Sequence, residues 1–160
     1  PNQLLAVTLG AVTDPILCAG IIEACTELLV PGALRTLADR RVTYPLAIER
    51  HSQLLNHPLL PFWPHYEGDE DTRRKPAYHN GTAWPWPMPM LAEAMLMLYG
   101  PAAKARAAGM LASSLPLFQR FSLGSLEEVI DGGYPHTPRG CGSQAWSITE
   151  WVRVRQLLED

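Results

Sequence analysis

The chain has 160 residues, of which 47% are hydrophobic and 18% charged, with a formal net charge of -3. This length fits one domain, and the balance excludes a disordered chain. A mildly acidic chain lacks the basic face that nucleic acid needs, and no apolar run reaches the roughly 18 residues of a membrane helix.

The first residue is Pro rather than Met, and the apolar pattern starts at once with PNQLLAV. The chain therefore reads as a piece of something longer, with a short helix over 2 to 10. Asp14 then offers an N-cap with Pro15 at the first helical position, and PILCAGIIEACTELL follows. Glu23, Thr26 and Glu27 form its one polar stripe, so the rest is expected to be buried. Pro31-Gly32 ends it. A further helix is expected near 45 to 55.

Residues 57 to 90 are dense in proline and aromatic side chains, which forbids a continuous helix or a central strand. Helical spacing returns at LAEAMLMLYG, 91 to 100. It is apolar nearly all round, as an inner helix would be. Gly100-Pro101 breaks it, and AAKARAAGMLASSLPLF restarts a helix that Pro116 disturbs. A non-helical stretch covers 121 to 142. The last helix runs from about Ser143 to Leu158, with Ile148, Trp151, Val152 and Leu158 as its apolar stripe and Arg153, Arg155 and Glu159 facing water. Helices joined by short and long loops suggest layered hairpins.

Three cysteines are present. Cys18 and Cys25 fall in one predicted helix, roughly 10 Å apart, too far to bridge. Free, mostly buried thiols in a reducing compartment are expected, which places the protein in the cytoplasm. Five histidines show no HExxH spacing and no CxxC companion, so no metal is expected. No Gly-rich phosphate loop and no GxSxG occur. EGDEDTRRK, 67 to 75, reads as a solvated loop tip.

Two constellations carry possible chemistry. Glu127, Glu128 and Asp131 put three carboxylates within five positions, either as a general acid or base or as a solvated turn. AYHNGTAWPW, 77 to 86, interleaves the polar His79, Asn80 and Thr82 with the flat faces of Tyr78, Trp84 and Trp86. Sugar rings have one apolar face and a rim of hydroxyls, which this mixture suits; a packed core is the other reading. Cys141 precedes a helix and is either an activated thiol or a packed one.

Together these stretches resemble the C-terminal amylo-α-1,6-glucosidase domain of glycogen debranching enzymes. The matching pieces are PNQLLAV (1 to 7), LVPGALRTLAD (29 to 39), AYHNGTAWPWP (77 to 87) and SLEEVIDGGYPHTPRGCGSQAWSITEWVR (125 to 153), in the family's order. The tract from 40 to 76 resembles it least.

The resemblance implies an all-α fold: about half of an (α/α)6 barrel of helical hairpins, with long loops, filling 1 to 160 as one domain. It implies inverting hydrolysis of α-1,6-linked glucose in a glycogen-type α-glucan, with no cofactor. The family's Glu-apolar-apolar-Asp-Gly run falls on residues 128 to 132, so Glu128 is the implied general base and Glu127 points elsewhere. The general acid lies upstream of PNQLLAV. Substrate-binding positions implied are Tyr78, His79, Asn80, Gly81, Thr82, Trp84, Trp86, His136, Arg139, Gln144 and Trp146, and Asn2 and Gln3 sit near the pocket. Arg139 either orients a carboxylate or sugar hydroxyl, or locks its loop by pairing with Asp131. Half a barrel would self-associate or need the upstream part of the domain. Hydrolysis of another α-glycoside and non-catalytic glucan binding are the alternatives.

Overall fold

Asp14 caps the first long helix as its sequence requires. In the computed structural model, which describes residues 1–120 and 124–159, Asp14 Oδ1 accepts the N–H groups of Ile16 and Leu17 at 2.9 Å. A short helix α1 (Leu4–Thr8) precedes it, and the capped helix α2 covers Pro15–Thr26. Pro31-Gly32 then forms the turn of a hairpin between β1 (Leu29–Val30) and β2 (Ala33–Arg35).

The expected helix near 45 to 55 is instead a two-stranded ribbon, β3 (Glu49–Arg50) and β4 (Gln53–Leu54). His51 and Ser52 both take positive φ between them, the geometry of the tight turns that join twisted strands. Much of the EGDEDTRRK tract is exposed, and its residues from Glu70 onward are helical. Asp69 caps a single π-helical turn, Glu70–Arg74, which runs into α3 (Lys75–Tyr78).

The proline-rich tract also departs from expectation. It contains β5 (Ala83–Trp84) and the start of α4 (Pro87–Tyr99). Pro87 and Pro89 fall in the first turn of α4, where their missing N–H groups have no helical partner to lose. A strand of two residues ending just before Pro85 loses no ladder bond either. A 3-10 turn (Gly100–Ala103) leads to α5 (Lys104–Ala112), and α6 (Leu117–Arg120) follows Pro116. Of the stretch 121 to 142, residues 121–123 lie outside the described ones. The remainder carries β6 (Val129–Ile130) and β7 (Pro138–Arg139) before α7 (Ala145–Glu159).

The expectation of an all-α half barrel is therefore corrected. The chain is mixed, with a five-stranded antiparallel sheet in the order β1-β2-β5-β6-β7 beside its helices. Its strands are two or three residues long and are recruited from segments far apart in sequence. Alternation cannot show in so few residues.

Helix α4 is the hub of the helical layer. Its Met88, Leu91, Ala92, Ala94 and Met95 are buried against Leu4 and Val7 of α1, Cys18, Ile22 and Cys25 of α2, Met110 and Leu111 of α5, and Val154 of α7. Not all of α2 is buried: Ile16 is 82% exposed. On α7 the buried residues are Ser147 and Val154, while Val152, expected in the apolar stripe, is 44% exposed. Arg153 does face outward, but it bridges α7 to Glu93 of α4 at 2.8 Å. No described helix is long and apolar enough to cross a membrane.

Candidate active site

Strand β6 sets the geometry. Val129 and Ile130 are fully buried, and the carboxylates of Glu128 and Asp131 flank them. Glu128 is half-buried. Its Oε1 accepts the phenol hydrogen of Tyr78, and its Oε2 accepts the N–H of Cys141 at 3.0 Å. Its own N–H donates to the Cys141 carbonyl at 2.8 Å. Gly140, at φ +70, makes the approach possible: a Cβ there would lie 2.6 Å from Glu128 Oε2. Each carboxylate oxygen has two lone pairs, so each keeps one free for another donor.

Burial, and then the neighbouring Glu128 carboxylate, raise the Tyr78 pKa well above the ordinary tyrosine value. Both disfavour the phenolate. Tyr78 thus stays a proton donor to Glu128.

Glu127 does not share these donors. It is 4% exposed, and neither of its oxygens meets a hydrogen-bond partner among the described residues.

Asp131, 1% exposed, is held from several sides. Oδ1 accepts the N–H of Tyr66 at 2.8 Å. Oδ2 accepts Arg139 Nε at 3.3 Å and Nη2 at 3.2 Å, and His65 Nδ1 lies 3.6 Å from it. Arg139 Nη2 also meets Glu67 at 3.2 Å. Of the two readings of Arg139, the pairing with Asp131 is the contact present. His136 Nδ1 lies 3.0 Å from the Asp131 carbonyl oxygen.

Beside the carboxylates runs an aromatic row. Tyr78 meets Trp84 edge-on with ring centroids 4.9 Å apart, Trp84 meets Trp146 edge-on at 5.9 Å, and Trp86 stacks on Trp146 at 5.3 Å. His79 lies parallel to Trp84 at 6.2 Å. A cleft of about 400 Å³ opens along the row. His79, Trp84, Trp86 and Trp146 line it, with Asn2 and Thr36 at its polar edge. Glu128 is not among the lining residues; it is joined to the cleft wall through Tyr78, whose ring touches Trp84.

The other expected positions serve the backbone frame. Asn80 Nδ2 donates to the Pro76 carbonyl at 2.7 Å. The Gly81 N–H donates to Thr36 Oγ1 at 2.8 Å. Thr82 is buried, and its hydroxyl donates to the Tyr78 carbonyl at 2.7 Å. The backbone N–H of Gln144 donates to the Leu126 carbonyl at 2.9 Å, just before α7 begins. Cys141 is exposed, contrary to the packed-thiol reading, while Cys18 and Cys25 are buried and free.

Sequence reasoning did not single out His65 or Tyr66, and it read Glu67 as part of a solvated loop tip. They lie in the tract that resembles the family least, and the only local signal was polar residues following Pro64. Thr36, which bonds to Gly81 and edges the cleft, was likewise not singled out.

Flat aromatic faces beside a carboxylate held by fixed donors suit a site for carbohydrate. Comparison with known families places it more narrowly. The amylo-alpha-1,6-glucosidase family model matches residues 1–153, and the chain belongs to that family. It is a glycoside hydrolase domain related to the C-terminal domain of glycogen debranching enzymes. No match was found among curated proteins or solved structures.

Proposed function

We propose that this domain contributes the general base of an inverting α-1,6-glucosidase acting on branched α-glucan, and that Glu128 is that base. Supporting this is the way Glu128 is held, by Tyr78 and the Cys141 N–H, with an acceptor lone pair to spare on each oxygen and with the aromatic cleft beside it. A water on the free lone pair gives its proton to the carboxylate while its oxygen attacks the anomeric carbon. The bond from that carbon to the 6-oxygen breaks as an acid protonates the leaving oxygen. The two carboxyl groups of such a pair stand about 6.5–9.5 Å apart, leaving room for the water. The acid is supplied from upstream of residue 1.

Trp86 and Trp146 would present ring faces to the glucose units, backed by the buried Trp84, with His79 offering a hydrogen bond at the edge. The exposed side chains of Leu9, Ile16 and Leu17 would be covered by the upstream part of the glucosidase domain or by a second copy.

The test is Glu128→Gln in the full-length protein, assayed on a branched limit dextrin. Turnover should fall by about 10²–10⁴-fold, the usual contribution of a general base. Glucan binding should persist. A variant with near-parental turnover contradicts the assignment and leaves glucan binding as the domain's role.

A further inference from the structure

The two donors that fix Glu128 come from different segments, and both segments are fastened to Asp131. Cys141 lies two residues beyond Arg139, which closes on Asp131 Oδ2 through Nε and Nη2. The same loop is tied a second time, because the Asp131 N–H donates to the Thr137 carbonyl at 2.9 Å. Tyr78 ends α3, and the segment at 63 to 66 holds the turn that follows it. The Trp63 N–H donates to the Asn80 carbonyl at 2.6 Å, and the Tyr66 N–H donates to Asp131 Oδ1 at 2.8 Å. Gly132, next in the chain, completes the joint. Its N–H donates to the Pro64 carbonyl at 2.7 Å, and its α-carbon packs so near the Gly81 carbonyl that a Cβ would lie 1.7 Å from that oxygen.

We propose that Asp131, acting through Arg139 and the Tyr66 N–H, is a positioning residue for Glu128. It locks together the segments that carry Tyr78 and Cys141. This rests on Glu128 being the base. A buried carboxylate with this many partners holds them in one arrangement, because leaving any of them is unfavourable in a dry site. Glu67, on the same segment as Tyr66, meets Arg139 from the exposed side, and His65 Nδ1 lies 3.6 Å from Asp131 Oδ2. A shift of the Cys141 N–H or the Tyr78 hydroxyl by an ångström would misalign the carboxylate and its water.

The test compares Asp131→Asn, Arg139→Gln and Arg139→Lys with the parent in the full-length protein. Glucose release from a branched limit dextrin gives kcat and KM. Alkaline ultraviolet titration, differenced against Tyr78→Phe, reports the Tyr78–Glu128 bond. We expect kcat to fall roughly 10²-fold in Asp131→Asn and Arg139→Gln, the scale of an ångström misplacement. KM should stay within about twofold, as when only transition-state alignment is lost. Ionisation of Tyr78 should move to lower pH, and Arg139→Lys should recover part of both effects.

Folded variants that keep parental kcat, or that lose kcat with Tyr78 unmoved, overturn the proposal. Should Asp131→Asn not fold, Arg139→Gln decides, since its side chain lies partly at the surface. Failure of the underlying reading looks different: Glu128→Gln itself would keep its turnover. The Tyr78 titration of Arg139→Gln still tests the mechanical link in that case.

Discussion

Tyr78 and Glu128, fifty residues apart in sequence, share a hydrogen bond in which the phenol donates to Oε1. The bond joins the aromatic tract to the acidic run, the two constellations that stood out in the sequence. It also makes Tyr78 a reporter on the carboxylate.

Tyr78 should therefore ionise above the ordinary tyrosine range, burial being the larger cause and Glu128 the next. A pKa raised on folding means the folded state keeps a proton that the unfolded state gives up. The associated stability is present in full below about pH 10, the value for a free tyrosine, and is lost as pH rises through the folded value. Ultraviolet titration of Tyr78 in the parent and in Glu128→Gln checks this. The variant should titrate at lower pH, and an identical curve would show that the carboxylate exerts no pull on the phenol.

Gly132→Ala should destabilise the protein strongly. The added Cβ would sit 1.7 Å from the Gly81 carbonyl oxygen, a backbone atom held in place by the Gly81–Thr36 bond. Overpacking of this kind costs about 1–3 kcal/mol, and a backbone obstacle puts this site at the upper end. Urea denaturation measures it; an unchanged midpoint would mean that the three segments meeting there can move apart freely.

Trp146→Ala should weaken glucan binding with little loss of stability. Trp146 is 45% exposed and stacks on Trp86 at the mouth of the cleft. An aromatic contact contributes about 0.5–1.5 kcal/mol beyond buried area, so affinity should drop by up to about tenfold. Trp84→Ala should differ, because Trp84 is buried among Tyr78, His79 and Trp146. Its removal should cost about 3–5 kcal/mol of stability as well. Calorimetric glucan titration paired with thermal melting separates the two.

Asp14→Ala should cost about 1 kcal/mol, the usual worth of an N-cap carboxylate. It removes the acceptor of two otherwise unpaired N–H groups, those of Ile16 and Leu17. Asp14→Ser should restore most of the loss in the same denaturation assay, since a hydroxyl accepts equally at that position.

The sequence made the helix signals plain where single residues decide them. Asp14-Pro15 started α2 and Gly100-Pro101 broke α4, whereas Pro31-Gly32, expected to end α2, turns a hairpin after α2 has already stopped at Thr26. The strands were hidden because two residues carry no period, and because Ala83–Trp84 finds both its partners, Leu34–Arg35 and Ile130, only through distant pairing. Expecting a purely helical fold came from the helical spacing of the residues as well as from the family resemblance, and the sheet corrects it. Within the candidate site, the aromatic tract and Glu128 were both visible, and they meet at Tyr78. The role of Gly81 in holding backbone was not visible, because a residue's partner 45 positions away leaves no local trace. For the same reason Asp131 showed one expected partner, Arg139, and hid Tyr66 and His65.

The central claim concerns one carboxylate taking a proton from water. The most direct measurement is glucose release from a branched limit dextrin by Glu128→Ala in the full-length protein, with and without added azide. The account predicts that turnover falls by about 10²–10⁴-fold without azide. With azide, an anion that attacks without needing a base, turnover should recover and give a β-glucosyl azide. Release of free glucose at near-parental rate by Glu128→Ala alone would contradict it.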